Sequence, residues 1–321
     1  MKKTIALSLS LLAALSSPLA LSQAYPVKPL RLIIPYAAGG AADTAGRLAA
    51  SKLAEGLKQP VVVENRLGAG TTIGAALVAG SPPDGYTLLM AGLTGHIVSG
   101  ILYKNLNYDP VKSFAAVAQL SDAPFILVVN SASGIRSPRE LIDLSKNRPK
   151  GLTYGSSGTG AGPHLATEML IRATGANFVH IPYKGSAPAM LAVLAGEVDL
   201  AILDLSAMNQ VQSGKLTALA LTTQARSPLA PGIPTLSETG ISGVDVPSGQ
   251  GLLAAAGTPR EIVVRLNSIV NQALNSDEVR KNFMARAFMP APRTPEEFAS
   301  FLQSEYQKYA ELIKRLNVNI E

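Results

Sequence analysis

The chain has 321 residues, no cysteine, a formal net charge of +6 and an apolar fraction of 47%. That fraction excludes disorder, and the lack of cysteine excludes disulfides, a lipid-anchored cysteine and thiolate metal sites. Lys and Arg are scattered, without the clustered basic face and interleaved aromatics that nucleic acid requires, so no nucleic-acid partner is expected.

Residues 1–24, MKKTIALSLSLLAALSSPLALSQA, place Lys2 and Lys3 before an uncharged apolar stretch and end in the small-x-small sequence Ser22-Gln23-Ala24. This reads as a secretory signal peptide cleaved before Tyr25, with the mature chain in the periplasm. The rival reading is an uncleaved anchor, for which the apolar core is short, since a bilayer span needs about 20 residues.

Short apolar runs then recur with helical segments between them: LRLII at 30–34, VVV at 61–63, YTLLMA at 86–91, FILVV at 125–129, LTYG, FVHI, VDLAIL and LTALAL. This is the pattern of βαβ units, so the expected fold is α/β, in two domains that each hold a mostly parallel sheet flanked by helices. Ser137-Pro138-Arg139-Glu140, Thr258-Pro259-Arg260-Glu261 and Thr294-Pro295-Glu296-Glu297 each read as a helix start, with a hydroxyl N-cap, Pro at the first position and Glu at the third. Beyond Thr294, Phe298, Phe301, Leu302, Tyr306, Tyr309, Leu312 and Ile313 recur at helical spacing, predicting a long amphipathic terminal helix. The stretch 222–250 is rich in Pro, Gly and Ser, and a weaker break lies at 121–124. The domains are therefore read as residues 25–123 plus 236–321 and residues 124–235, with a cleft between them.

Two glycine-rich loops stand between a strand and a helix, Pro35 to Asp43 and Gly155 to His164. Free amides at a helix N-terminus make an anion site. Neither loop has the lysine of a P-loop, and GxGxG at 158–162 is not the dinucleotide fingerprint. With one loop in each domain, a small anion held between them would be buried by closure. The alternative is that the glycines only make tight turns. The three histidines, His96, His164 and His180, form no short HxxxH pair, so no metal is expected, and no cofactor is implied. Ser156, Ser157 and His164 suggest a hydrolase only weakly, because no third group orients a base and no GxSxG elbow is present. No catalytic residue is assigned.

The blocks PYAAGGAAD (35–43), VVVENRLGAGTTIG (61–74), SPPDGYTLLM (81–90), SSGTGAGPHLA (156–166), HIPYKGSAPAMLAVLAGEVDLAILD (180–204), ARSPLAPGIPTLSETG (225–240) and AAGTP (255–259) resemble the Bug-type receptors. These are the extracytoplasmic solute-binding proteins of tripartite tricarboxylate transporters. The resemblance implies a two-domain flytrap fold and a non-catalytic receptor for dicarboxylates, acidic amino acids or aromatic carboxylates. It also implies permease subunits as membrane partners, the alternative partner being a sensor kinase. In such receptors a ligand carboxylate lies at the two glycine-rich loops, partly through ordered water. By position this assigns Tyr36, Ala37, Gly39, Gly40 and Asp43 to one jaw and Ser156, Ser157, Thr159, Gly160 and His164 to the other, with Tyr183 and Asp204 nearby. Asp43 either serves the ligand or caps its own helix, and Asp204 either meets a ligand amine or hydroxyl or makes a structural bond. The sequence departs from the family where Ser248-Gly249-Gln250-Gly251 replaces a common aromatic and where Leu67 replaces a usual proline. His96, in a ligand-variable loop, pairs with a distal carboxylate or packs in the protein.

Overall fold

The computed structural model describes residues 25–286 and 288–316, so the leader read in residues 1–24 lies outside the described residues. In chain order the elements are β1 (Leu30–Ile34), α1 (Ala41–Leu57), β2 (Val61–Asn65), α2 (Thr72–Ala79), β3 (Thr87–Gly92), α3 (Leu93–Leu102), β4 (Phe114–Asp122) and β5 (Phe125–Asn130). They continue with α4 (Pro138–Asn147), β6 (Leu152–Ser156), α5 (Gly162–Thr174), β7 (Phe178–Pro182), α6 (Ser186–Ala195), β8 (Leu200–Asp204), α7 (Met208–Gln212) and β9 (Leu216–Leu221). The last are β10 (Gln250–Ala255), α8 (Arg260–Asn275), α9 (Asp277–Ala285), β11 (Met289–Pro290) and α10 (Pro295–Leu316). Among the described residues no helix is long and apolar enough to cross a membrane.

The strands form a six-stranded sheet in the order β11-β4-β10-β3-β1-β2 and a five-stranded sheet in the order β7-β6-β8-β5-β9. Both are mixed rather than mostly parallel. In the first sheet β10 runs antiparallel to β3 and β4, and in the second β5 runs antiparallel to β8 and β9. The reason is connectivity. The chain passes from one sheet to the other directly between β4 and β5 and returns after β9, and β5 and β10, the strands entered after the two crossings, oppose the direction set by the βαβ units.

Both sheets are buried on two faces, as the near-continuous apolar strands require. In β1, Leu30, Leu32 and Ile34 pack under α1, α8 and α9 with the small residues Ala41, Ala45 and Ala49, whereas Ile33 faces the opposite core. In β5, Leu127 and Val129 share that opposite core with Phe298 and Tyr309 of α10, and Ile126 and Val128 face α6. The period-two alternation thus assigns each strand residue to a layer. One apolar core runs through both halves of the molecule.

The helix starts differ in detail. At α10, Glu297 N–H donates to Thr294 Oγ1 (3.2 Å) and Thr294 N–H to Glu297 Oε2 (2.9 Å), a reciprocal capping box. At α4, Ser137 accepts from Glu140 N–H, but Glu140 reaches one residue further back to Arg136 N–H. At α8 the expected hydroxyl cap is absent. Thr258 donates instead to Ala255 O (2.7 Å), and the helix begins at Arg260 with Pro259 as its N-cap.

Two extended segments cross side by side between the sheets. Ala123 and Ser248 exchange backbone hydrogen bonds of 3.2 and 2.6 Å, and Pro124 bridges to Pro247. The Thr222 hydroxyl, fully buried, donates to Val246 O (2.6 Å) and accepts from Phe125 N–H (3.1 Å), tying both crossings together. These few residues join the two sheets.

Candidate functional site

The cleft beside these crossings occupies about 430 Å³, its mouth included. One jaw contributes Tyr36, Gly40, Ala41, Ala42, Gly92, Thr94 and Gly95. The other contributes Phe125, Ser157, Ala161, Gly162, Pro163, Ser186 and Asp204, and the returning segment adds Ser248, Gly249 and Gln250.

Four of these groups are helix starts. The N-caps of α1, α3, α5 and α6 are Gly40, Gly92, Ala161 and Gly185, and in none does a side chain cap the helix. Their orphan amides are therefore left for another acceptor, apart from Leu93 N–H, which donates to Gly249 O (2.8 Å). Each helix also carries roughly half a positive charge at this end. No Lys, Arg or His side chain lines the cleft; among the described residues its positive potential comes from backbone. Small N-cap residues keep the amides accessible.

Behind the first loop lies an ionised network. Asp43 is 4% exposed and accepts from Gly39 N–H (3.1 Å), Asn65 Nδ2 (3.0 Å) and Arg47 Nε (2.9 Å). Asn65 Nδ2 also donates to Tyr36 O (2.8 Å). Burial acts to raise the Asp43 pKa, but the bonds from Arg47, Asn65 and Gly39 outweigh it and hold the carboxyl below its ordinary value. Tyr36 lies over Gly92, where an added Cβ would come within 2.6 Å of the phenol oxygen. Its pKa is raised by burial, partly offset by the Gly92 backbone. Ala37 N–H donates across the cleft to Lys184 O (3.1 Å), so the two jaws touch.

Behind the second loop lies a pair of neutral histidine rings. Gly160, at φ +80°, donates its N–H to His164 Nδ1 (3.1 Å), which fixes the ring proton on Nε2. His164 stacks on His180 at 4.3 Å, and His180 stacks on Tyr154 at 4.7 Å. The Tyr154 hydroxyl donates to Glu168 (2.7 Å). Burial lowers His164 to about 4; burial, then the neighbouring His164, lowers His180 to about 4.

Of the residues assigned by resemblance, Tyr36, Gly40, Ser157 and Asp204 line the cleft together. Ala37 meets Lys184 of the other jaw, Gly39 is held from behind by Asp43, and Ser156, Gly160 and His164 shape the second loop from behind. Thr159 meets the first jaw: its carbonyl would lie 2.4 Å from a Cβ added to Gly70. Tyr183 is half-buried against Gly155. His96 is 2% exposed, donates from Nε2 to Pro110 O (2.8 Å) and sits among Tyr108 and Phe114, facing the core rather than the cleft. The Ser156 hydroxyl stands 2.6 Å from His180 Nε2. That pair has the distance of a nucleophile and base, but Ser156 is fully buried off the cleft and no described carboxylate bonds His180.

The lining residues Gly92, Thr94, Gly95 and Ser186 were not on that assignment. Their signal was present in the sequence, since YTLLMAG-LTGHI and HIPYKG-SAPAM repeat the strand, small residue and helix pattern of the two glycine loops. Gln250 had a weaker signal, as part of the segment that departs from the family.

Comparison with known proteins agrees with this geometry. BugT of Bordetella pertussis is 33% identical over 96% of this chain and 95% of its own. The solved periplasmic binding protein BugD superposes with a TM-score of 0.86 at 33% identity, over 92% of this chain and 100% of its own. MatC from Rhodopseudomonas palustris, solved with bound malate, gives 0.86 at 30% identity over 90% and 100%. Residues 45–318 match the family described as tripartite tricarboxylate transporter family receptor. The chain belongs to that family, and is a Bug-type solute-binding protein rather than an enzyme.

Proposed function

We propose that this receptor works in the periplasm, closes on a small carboxylate and delivers it to the membrane permease of a tripartite transporter. The observation that carries the reading is the convergence of four helix starts without side-chain caps on one cleft that no cationic side chain lines. Such a site binds a carboxylate by backbone amides and helix dipoles. The malate in MatC supports the carboxylate class, and the family description supports a transporter over a sensor kinase. The first sheet with its helices moves as one body and the second sheet with its helices as the other, about the paired segments at Ala123 and Ser248, and residues 236–246, bonded to Leu221 and Thr222, go with the second.

Native mass spectrometry of the purified protein, followed by denaturation, tests the reading. The expected result is a released carboxylate. If the protein emerges empty, unfolding and refolding it and then screening mono-, di- and tricarboxylates by thermal shift gives the second arm. No shift with any carboxylate overturns the proposal.

A further inference from the structure

Two polar groups in the cleft lack partners, and both accept hydrogen bonds. Gln250 is 4% exposed, and its Oε1 is buried without a hydrogen bond. It stands at the start of β10, in register with Gly92 on one side and Ser121 on the other. Asp204, also 4% exposed, gives Oδ1 to Ser206 N–H (3.1 Å), and Oδ2 takes no bond from any described residue. Asp204 is the one carboxylate lining the cleft, and no cationic side chain there answers it. An amide can turn over and present its N–H, but a carboxylate only accepts.

Given the carboxylate-receptor reading, on which this inference rests, we infer that Gln250 and Asp204 form a second subsite that takes an ammonium group. The ligand is then an amino monocarboxylate, a net-neutral zwitterion. Its carboxylate lies at the helix starts, and its ammonium satisfies the unpartnered acceptors. A second carboxylate at this subsite would face Asp204 with no cation between them. Asp204 sets the preference for an ammonium group and Gln250 adds affinity, because its side chain has no structural bond to explain a polar group buried at that position.

The test is calorimetric titration of the refolded, ligand-stripped full chain with straight-chain dicarboxylates and with amino monocarboxylates of the same lengths. The best amino monocarboxylate should bind at least about tenfold tighter than the best dicarboxylate. Asp204→Asn keeps an acceptor for Ser206 N–H and should abolish that preference. Gln250→Met is nearly isosteric and removes an unsatisfied buried carbonyl, so the ligand-free protein should melt higher while amino monocarboxylate affinity falls about fivefold. A merely structural glutamine would not give these opposite changes. Dicarboxylates binding as tightly as amino monocarboxylates, or variants that leave the preference and affinity unchanged, overturn the inference and leave the receptor reading standing. No response to a carboxylate of either kind overturns the inference, and the receptor reading falls with it only if the full screen of mono-, di- and tricarboxylates is also blank.

Discussion

The two glycine-rich loops perform one task with opposite chemistry. Each carries the chain from a strand to a helix start at the cleft, yet the first is held by the carboxylate of Asp43 and the second by the neutral ring of His164. The Gly39 and Gly160 amides are both satisfied from the rear, and both loops keep small residues forward. The difference lies in what the supporting group must be: Asp43 must be charged, whereas His164 must not be. A loop backbone can be fixed equally well by either, but the two jaws then answer pH and mutation differently.

The largest expected effect comes from the ionised side. Asp43→Ala leaves Gly39 N–H and one of the two Asn65 Nδ2 protons without an acceptor, the other still bonding Tyr36 O, while Arg47, whose side chain is 52% exposed, turns to water. The loss of stability should be about 3 kcal/mol, read as a lower urea midpoint at constant slope. A loss below about 1 kcal/mol would mean that the first loop is held by its backbone alone.

The pH profile separates the two networks. Burial lowers His96 and His164 from 6.5 to about 4, so as pH falls below 6.5 the unfolded chain takes up protons first and stability declines, with the decline complete near 4. At pH 5 each of these two rings should cost roughly 2 kcal/mol. Asp43, held below its ordinary 3.8, contributes stability that is present above that value and is lost only as pH falls through the lower folded pKa. Unfolding measured from pH 7.5 to 4 should therefore show the histidine step, unaltered in Asp43→Asn. A flat profile over that range would refute the neutral-ring account.

The second loop can be tested by itself with two changes at His164. His164→Leu removes the acceptor for Gly160 N–H and should weaken ligand binding about tenfold at neutral pH. His164→Gln keeps an acceptor and should bind within about threefold of the wild type. It should also remove the acid weakening of affinity, because protonation of His164 turns the Gly160 acceptor into a donor. Titrations at pH 7.5 and 4, where His164 is about half protonated, decide between this positioning role and simple packing, which both variants would disturb alike.

Much of this architecture was legible in the sequence. LRLII and LTALAL coincide with β1 and β9 residue for residue, because β-branched and leucine runs bounded by turn residues have few other solutions. The strands not read were β4 (FAAVAQLSD), β10 (QGLLAA) and β11. The first two are rich in Ala or Gly, whose weak strand preference is overruled by burial between neighbouring strands. With them went the antiparallel crossings, which no local pattern encodes. At the site, the helix starts at Gly40 and Ala161 were marked by glycine clusters. Those at Gly92 and Gly185 are marked only by isolated glycines, and their convergence with the others is a property of the fold. His96 was misleading locally: it follows a glycine at a helix start, but its position in α3 turns it toward Tyr108 and Phe114.

That placement gives the smallest effect and the control for the others. His96 and His164 are both buried and both held neutral, but only His164 bonds a loop that lines the cleft. His96→Phe strands the Pro110 carbonyl and should cost about 1 kcal/mol of stability at neutral pH. It should also remove its share of the loss between pH 6.5 and 4, because phenylalanine does not titrate. Ligand affinity and its pH dependence should remain those of the wild type. If binding falls with His96→Phe as it does with His164→Leu, burial of a histidine anywhere in the molecule would matter to the site, and the contrast between the two jaws would lose its structural basis.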